Sequence, residues 1–531
     1  MDIETKNRPS FWYGFLLVSG AAVLAKLLSA IYRIPFQNMV GDIGFYVYQQ
    51  TYPLYGIMAV LAMYGFPVVL SKQLAGLRQA DQQQASEIVS IFFYSQLFGA
   101  LLGWIALFSL AEPLAVLMGD RGLTGPIRAI SFLFLLLPAL CTSRGYDQGR
   151  GELGTTAASH MIEQLVRVGS ILAITISLLH EGADVYQIGT GAAVGSIAGV
   201  TAGFLVLQLL NKGAWLRQLI LPQHLPWQRL RKQMTALWSQ ALLISMSALV
   251  FILFQLVDAL TVIRLLARNG LQEQAAYAAK GVYDRGQPLL QLGVVLATVL
   301  SLAIVPLLAN MVAQKRGKRA GLYQYLCYRL ALLVGGAATV GLLVIIEPTN
   351  HMLFTDRAGS DVLQVVALAI VVGSLFATLA GILQGYHLER YPALAVGIGL
   401  GVKTIGNIVL IPVFGTFGAA WSTVAALTVM VIYAVVVLQR HQLFFFGSGK
   451  VYFWIGGLLL AMGLLTLAWR EASGLLIPDS RLGDAVVALS TAGLGACVIA
   501  AGVVYLPIFS EREWRTIPKL KRIRRLVKRS G

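Results

Sequence analysis

The sequence predicts an all-α integral membrane protein of about fourteen transmembrane helices. Apolar residues make up 57% of the 531 residues and charged residues only 12%, a balance far from that of a soluble domain. The chain divides into apolar stretches, many of them near the roughly 20 residues that cross a 30 Å hydrocarbon layer. Since the connections between these stretches are short, no separate soluble domain is expected.

Basic residues predict how the chain is oriented. They cluster in the loop 315–319 and again after Glu511, directly behind the last apolar stretch. Such clusters favour the cytoplasmic side and attract anionic lipid headgroups. We therefore expect a multi-pass protein of the cytoplasmic membrane with both termini in the cytoplasm. The first apolar stretch lacks a convincing cleavage site and is expected to be a permanent helix.

Internal similarity predicts a duplicated architecture. Tyr48 and Pro53 recur 235 residues later as Tyr283 and Pro288, and a second similarity recurs at an offset of 240 residues. Each offset covers about six spans, which favours two pseudo-symmetric six-helix lobes related by an axis along the membrane normal. The expected divisions are an N-lobe (1–210), a cytoplasmic linker (211–235), a C-lobe (236–440), two additional helices (441–510) and a basic tail (511–531).

Several classes of function are disfavoured by the composition. The net charge of +17 could suggest nucleic-acid binding, but the basic tail is short and lies next to the membrane. The three cysteines form no Cys-x-x-Cys pair and the six histidines show no metal-ligand spacing, so no metal or disulfide framework is expected. A phosphate-binding Gly-x-x-x-x-Gly-Lys-Ser/Thr run does not occur in the sequence. We expect neither a cofactor nor a step driven by ATP.

Ionisable side chains inside the apolar stretches are the clearest functional signal. They are Lys26, Glu163, Arg167, Asp258 and Lys403. A charge at the middle of a spanning helix costs about 3 kcal/mol, so these residues are expected to face a hydrated cavity or one another. Together with basic residues near two helix ends, they predict an electropositive cleft that suits an anion such as a diphosphate. The expected substrate-binding residues of this cleft are Lys26, Arg33, Arg264, Lys280, Asp284 and Arg285, with Arg268 nearby.

The remaining charges are expected to act in coupling or gating. Glu163 and Arg167 are four residues apart on one helix face, and a salt bridge between them is the preferred interpretation. The repeat relates Glu163 to Lys403, which suggests that these two could attract each other in one state of a transport cycle. Asp258 is either a proton or cation site or the partner of Arg264, and the sequence leaves both alternatives open.

Runs of residues along the chain resemble a known family. They include Tyr52-Pro53-Leu54-Tyr55, Ile162-Glu163-Gln164-Leu165-Val166-Arg167, Tyr283-Asp284-Arg285-Gly286-Gln287-Pro288 and Lys403…Asn407…Pro412. The combination resembles the polysaccharide-biosynthesis and stage V sporulation protein B-like branch of the multidrug/oligosaccharidyl-lipid/polysaccharide exporter superfamily, which is related to lipid II flippases. The resemblance covers essentially the whole chain.

This resemblance implies a two-lobed flippase that moves an undecaprenyl-diphosphate-linked sugar between membrane leaflets without acting as an enzyme. It places Lys26, Asp284 and Arg285 at a cationic cavity and Asn407 beside Lys403 among the coupling residues. A lysine stands where the related flippases have an arginine, so the cargo could be a peptidoglycan, teichoic-acid, capsule or exopolysaccharide intermediate. Coupling to H⁺, Na⁺ or the membrane potential is left open.

Two other functions remain as alternatives. A cation-coupled multidrug exporter of the same superfamily would prefer an acidic, aromatic cavity, whereas the charges singled out here are mostly basic. A membrane glycosyltransferase or polymerase usually carries a large outer loop or an acidic catalytic motif. The sequence contains neither, so the flippase is the favoured hypothesis.

Overall fold

The computed structural model is helical in nearly all of the residues that it describes, which are 20–21, 23–77, 82–219, 227–314 and 317–509. No β-strand occurs within these ranges. The basic tail at 511–531 and two residues of the 315–319 loop lie outside them.

The helices of the first half are α1 (Arg33–Val60), α2 (Phe66–Ala75), α3 (Gln82–Ser109), α4 (Ala111–Met118), α5 (Thr124–Ser131), α6 (Leu133–Gly149), α7 (Leu153–His180), α8 (Val185–Asn211) and α9 (Trp227–Arg268). Those of the second half are α10 (Glu273–Asp284), α11 (Gly286–Ala313), α12 (Gly317–Phe354), α13 (Ser360–Gly385), α14 (Arg390–Phe414), α15 (Thr416–Arg440), α16 (Gly449–Leu476) and α17 (Arg481–Tyr505).

Twelve segments of the described chain are long and apolar enough to cross a membrane. One of them, Val23–Ala75, has 53 residues, which corresponds to about 80 Å of helix and therefore to two spans. Gly41 divides it, because its φ of 68° interrupts the helical conformation. α11 adds a further span, since its 28 residues carry no charged side chain. The predicted all-α class and the predicted number of about fourteen spans are confirmed.

Contacts divide the chain into two compact units. The first consists of residues 1–295 and 388–430, and the second of residues 296–387 and 431–531. Neither unit coincides with the lobes predicted from the internal repeat, 1–210 and 236–440. The repeat boundaries stay a prediction, because contacts group residues by proximity rather than by duplication.

Small residues position α7 and α8 in the first unit. A methyl group built on Gly199 of α8 would lie 2.5 Å from Cβ of Arg167 and 2.7 Å from the backbone oxygen of Glu163. Gly195 approaches the backbone of Ile171 in the same way. α8 begins with a capping box formed by Asp184 and Gln187. Close packing of these helices therefore fixes the direction in which the charged side chains of α7 point.

The second unit has its own apolar core. α12 packs against α13, α16 and α17, and a buried cluster joins Leu333, Ile455, Leu458, Ile508 and Phe509. Arg329 is buried and donates a hydrogen bond to the backbone oxygen of Ile508, which ties α12 to the end of the described chain.

The substitution Gly199→Ala tests the close approach of α7 and α8. We expect it to destabilise the protein by about 1–3 kcal/mol, because the added methyl group overpacks the contact. The measurement is the thermal unfolding midpoint of the detergent-solubilised protein. Gly169→Ala is the matched control, since a methyl group on that exposed glycine of α7 meets no atom within 4 Å. Equal midpoints for the two variants would contradict this account of the packing.

Candidate functional site

Glu163 forms a buried ion pair with Arg144 rather than the predicted bridge with Arg167. Nη2 of Arg144, on α6, lies 2.6 Å from Oε2 of Glu163, on α7. The same nitrogen lies 3.1 Å from the hydroxyl of Ser159, and His160 is 3.8 Å from the carboxylate. The i, i+4 spacing offered Glu163 a partner on its own helix, but the neighbouring helix supplies a closer cation.

Arg144 is a charged residue that the sequence analysis missed. It is fully buried on α6, within the candidate span Arg121–Gly149. The sequence feature that could have indicated Arg144 was the carboxylate of Glu163 inside an apolar stretch, because a buried carboxylate requires a nearby cation.

Among the described residues, Arg167 has no carboxylate partner and contacts neutral groups. It donates hydrogen bonds to Ser29 at 3.0 Å, to Gln164 at 3.0 and 3.3 Å and to Tyr32 at 3.4 Å. Its guanidinium carbon also lies 4.4 Å from the centroid of the Tyr55 ring. These contacts hold the cation without neutralising its charge.

Arg33 is a second buried cation, and no described carboxylate lies within 4 Å of it. Its guanidinium carbon lies 4.0 Å from the centroid of the Tyr52 ring, and none of its three side-chain nitrogens has a hydrogen-bond partner among the described residues. Tyr52 and Tyr55 are ring neighbours on α1, with centroids 5.7 Å apart. Arg33 and Arg167 therefore lie over adjacent rings of one aromatic row, and we call this group the arginine–tyrosine cluster.

Asp258 on α9 is the partner of Lys403 on α14. Nζ of Lys403 lies 2.6 Å from Oδ1 of Asp258, and both side chains are buried. Asn407 donates to Oδ1 at 2.9 Å and Tyr283 donates to Oδ2 at 2.9 Å. The alternative pairing of Asp258 with Arg264 is wrong, because Arg264 is exposed six residues further along α9.

Two more ion pairs lie on α10 and at its end. Lys280 donates to both carboxylate oxygens of Asp284 at 2.6 Å. Arg285 donates to Asp42 at 2.7, 2.8 and 3.0 Å. The backbones approach closely here, since a methyl group on Gly281 would overlap the backbone oxygen of Asp42. α1 and α10 are therefore clamped together at this point.

A cleft of about 800 Å³ lies next to this clamp in the first unit, lined by Asp120, Glu273, Tyr186 and Tyr277 among others. The rings of Tyr46 and Tyr277 stack with centroids 4.9 Å apart and planes 6° from parallel. Asp120 accepts hydrogen bonds from the hydroxyls of Tyr46 and Tyr186. The stacked rings and the Asp42–Arg285 pair both join α1 to α10 and the residue that follows it.

The predicted cationic site residues thus differ in whether a carboxylate contacts them. Lys280, Arg285 and Lys403 each have a carboxylate partner, and so does the newly found Arg144. Lys26 is partly exposed, and Arg264 and Arg268 are exposed. Among the predicted site residues that the structure describes, Arg33 and Arg167 are the only buried cations without a carboxylate within 4 Å. The arginine–tyrosine cluster therefore carries positive charge that no described carboxylate contacts.

One group in the second unit has metal-ligand geometry. A nitrogen of His351 and carboxylate oxygens of Asp479 and Asp484 all lie within 4.8 Å of one another. Arg357 donates to Asp479 at 2.5 Å and to Asp484 at 2.6 Å. Because Arg357 donates to both carboxylates and His351 contacts Asp484, the group is adequately explained as an ion-pair network.

The exchanged double variant Arg144→Glu with Glu163→Arg tests the pairing of α6 with α7. Either single change leaves like charges buried together, and we expect it to lower stability by at least about 3–5 kcal/mol. The double variant restores opposite charges and should recover part of that loss. The thermal unfolding midpoint in detergent measures both effects. The pairing of Arg144 with Glu163 would be contradicted if the midpoint recovered when Glu163→Lys is combined with Lys403→Glu but not when Arg144 and Glu163 are exchanged.

Comparisons with known proteins agree with this architecture. The family described as polysaccharide biosynthesis protein matches residues 11–312. An uncharacterized membrane protein, YabM of Bacillus subtilis (strain 168), is 35% identical over 532 residues, which cover 98% of this chain and 98% of that protein. Lipid II flippase MurJ of the same organism is 24% identical over 511 residues, covering 91% of this chain and 93% of that protein.

The fold has a counterpart among solved structures. Lipid II flippase MurJ in an inward closed conformation matches with a TM-score of 0.69 and 12% identity, covering 95% of this chain and all of that one. The resemblance found in the sequence is confirmed. A family match over more than half of the chain, joined to a relative that is 35% identical over 98% of it, places this multi-pass membrane protein in the polysaccharide biosynthesis protein family.

Proposed function

We propose that the protein is a flippase that moves an undecaprenyl-diphosphate-linked oligosaccharide or cell-wall precursor across the cytoplasmic membrane by alternating access. The observation that supports this most directly is the arginine–tyrosine cluster. Arg33 is buried with three guanidinium nitrogens that lack hydrogen-bond acceptors. A guanidinium presents a planar fork of donors that matches two phosphate oxygens, so a diphosphate would supply the missing acceptors.

Arg167 would complete the anion site from a neighbouring helix. Its present partners, Ser29, Gln164 and Tyr32, are all neutral. A diphosphate carries enough charge to engage both guanidinium groups, and the tyrosine rings beneath them keep water away from the contact. Lys26, one turn before Ser29 and partly exposed, would guide the anion towards the cluster.

The Asp42–Arg285 ion pair would act as a gate, because its guanidinium could leave Asp42 and bind substrate instead. The side chain of Asp42 retains 24% of its exposure, whereas the carboxylates of Glu163, Asp258 and Asp284 are at most 3% exposed. Water can therefore replace Arg285 at Asp42 more readily than it can replace the other cations. Separation of this pair would free Arg285 to contact the phosphate groups of the substrate. Substrate and Asp42 would then compete for one guanidinium.

The remaining features follow from the same proposal. Under this proposal we expect both termini on the cytoplasmic side, where the basic sequence after Glu511 would favour anionic headgroups. The lipid tail stays in the bilayer while the head group passes through the protein, and cavity charges allow coupling to H⁺, Na⁺ or the membrane potential. No covalent chemistry on the cargo is involved. A multidrug exporter is disfavoured, because two buried uncompensated arginines would repel a cationic drug.

Reconstituted vesicles test the proposal. A labelled undecaprenyl-diphosphate glycan is added, and flipping is measured as accessibility of the label to a quencher that cannot cross the membrane. We expect Arg33→Gln and Arg167→Gln each to slow flipping by about tenfold or more, the effect of losing a charge-assisted hydrogen bond. Arg231→Gln, which removes an exposed arginine of the same unit that was not predicted to bind substrate, is the control and should leave the rate unchanged.

The same assay separates the alternatives. A panel of peptidoglycan, teichoic-acid, capsule and exopolysaccharide intermediates identifies the cargo by its rate. Wild-type flipping by Arg33→Gln would exclude the arginine–tyrosine cluster from the anion site. Transport of a cationic dye, with no flipping of any diphosphate glycan, would favour the multidrug exporter instead.

A further inference from the structure

The ammonium group of Lys403 lies in a shell made of oxygen atoms. Nζ is 2.6 Å from Oδ1 of Asp258, 2.8 Å from the hydroxyl of Thr423, 2.9 Å from the backbone oxygen of Ala419 and 3.0 Å from the hydroxyl of Ser422. The side chain of Lys403 is fully buried. An ammonium has three protons, and here it meets four oxygens that come from two other helices, α9 and α15.

This shell is more elaborate than an ion pair requires. Lys280 is the useful comparison, because it is also buried beside an aspartate. Among the described residues it hydrogen-bonds only to Asp284, four positions along its own helix. Lys403 adds a carbonyl and two hydroxyls to its carboxylate. Carboxylate, carbonyl and hydroxyl oxygens are the groups that replace the hydration shell of a bare cation in proteins.

The carboxylate of the shell is itself held in position. Asn407 donates to one oxygen of Asp258 and to Thr261, and Tyr283 donates to the other oxygen. Such outer contacts orient the ligands of a metal ion. They also mean that the shell keeps its shape through bonds that do not involve Lys403.

We propose that these oxygens form a monovalent-cation site and that the cation of this chain is the tethered ammonium of Lys403. The ligands are Asp258, Ala419, Ser422 and Thr423, which surround Nζ as they would surround Na⁺, Li⁺ or K⁺. The chain therefore carries its own cation where a dissolved ion would otherwise bind. If the proposed function holds, flipping will not depend on a dissolved cation at this position.

Removing the lysine side chain should convert the site into one that binds a dissolved cation. In Lys403→Ala the oxygens remain, and the buried carboxylate of Asp258 lacks a counter-charge. Na⁺ can then enter the shell and stabilise the folded state by mass action. In the wild type the ammonium of Lys403 already occupies the oxygen shell. The stability of the wild type should therefore depend on ionic strength and not on which cation is present.

The experiment compares unfolding midpoints of the full-length protein solubilised in parallel in NaCl, LiCl, KCl, methylammonium chloride and choline chloride at equal ionic strength. For Lys403→Ala we expect NaCl, LiCl, KCl or methylammonium to raise the midpoint by about 2–4 °C over choline. If this variant unfolds in choline, recovery of folded protein in one of the other salts is the equivalent result. The wild type should give equal midpoints in all five.

Two variants serve as controls. Lys280→Ala removes a buried lysine that lacks the oxygen shell, and it should show no salt-specific stabilisation. Asp258→Asn with Lys403→Met removes both charges, and it should also be insensitive to the choice of cation. Both results are needed, because they separate a built site from a general response to a buried carboxylate.

Three outcomes would overturn the proposal. The first is that Lys403→Ala has the same unfolding midpoint, or fails to fold, in every salt. The second is that Lys280→Ala responds to the salts as strongly as Lys403→Ala. The third is that Na⁺ specifically stabilises the wild type. Each result is a stability measurement. Failure of the flippase proposal is thus distinguishable from failure of this one.

Discussion

The cost of placing charge inside a membrane is the constraint on which this structure depends. Breaking a buried ion pair costs about 3–5 kcal/mol, and hydrocarbon offers no water to offset the loss. Arg144, Lys280 and Lys403 accordingly each lie 2.6 Å from a carboxylate oxygen. Two of these pairs join different helices. Charge pairing therefore helps to decide which helices contact each other. These pairs lie in the same unit as Arg33 and Arg167, which have no described carboxylate partner.

Two buried groups of the first unit satisfy this constraint in opposite ways. The shell around Lys403 holds a cation whose charge is fully met by oxygens. The arginine–tyrosine cluster holds two cations with aromatic rings and neutral groups, so their charge is not cancelled. One group already holds its own cation, and the other leaves positive charge without a carboxylate partner. This contrast is the physical basis for proposing that Arg33 and Arg167 bind an anion.

Tyrosine is suited to the role that it has in the cluster. Its ring attracts a guanidinium through the negative face of the π system, and this attraction grows when water is excluded. A carboxylate in the same place would neutralise the arginine and leave no attraction for a phosphate. The rings of Tyr52 and Tyr55 on α1 therefore support the arginines structurally without neutralising their charge.

Composition and hydrophobic length by themselves determined the all-α membrane class, the number of spans and the presence of buried charge, because these depend on residue counts along the chain. The pairing of those charges was decided only by tertiary structure. Glu163 has a cation one turn away on its own helix, yet it pairs with Arg144 of α6. Asp258 lies 145 positions from its partner Lys403. Coulomb attraction depends on distance in space, and sequence spacing reports that distance only within one helix.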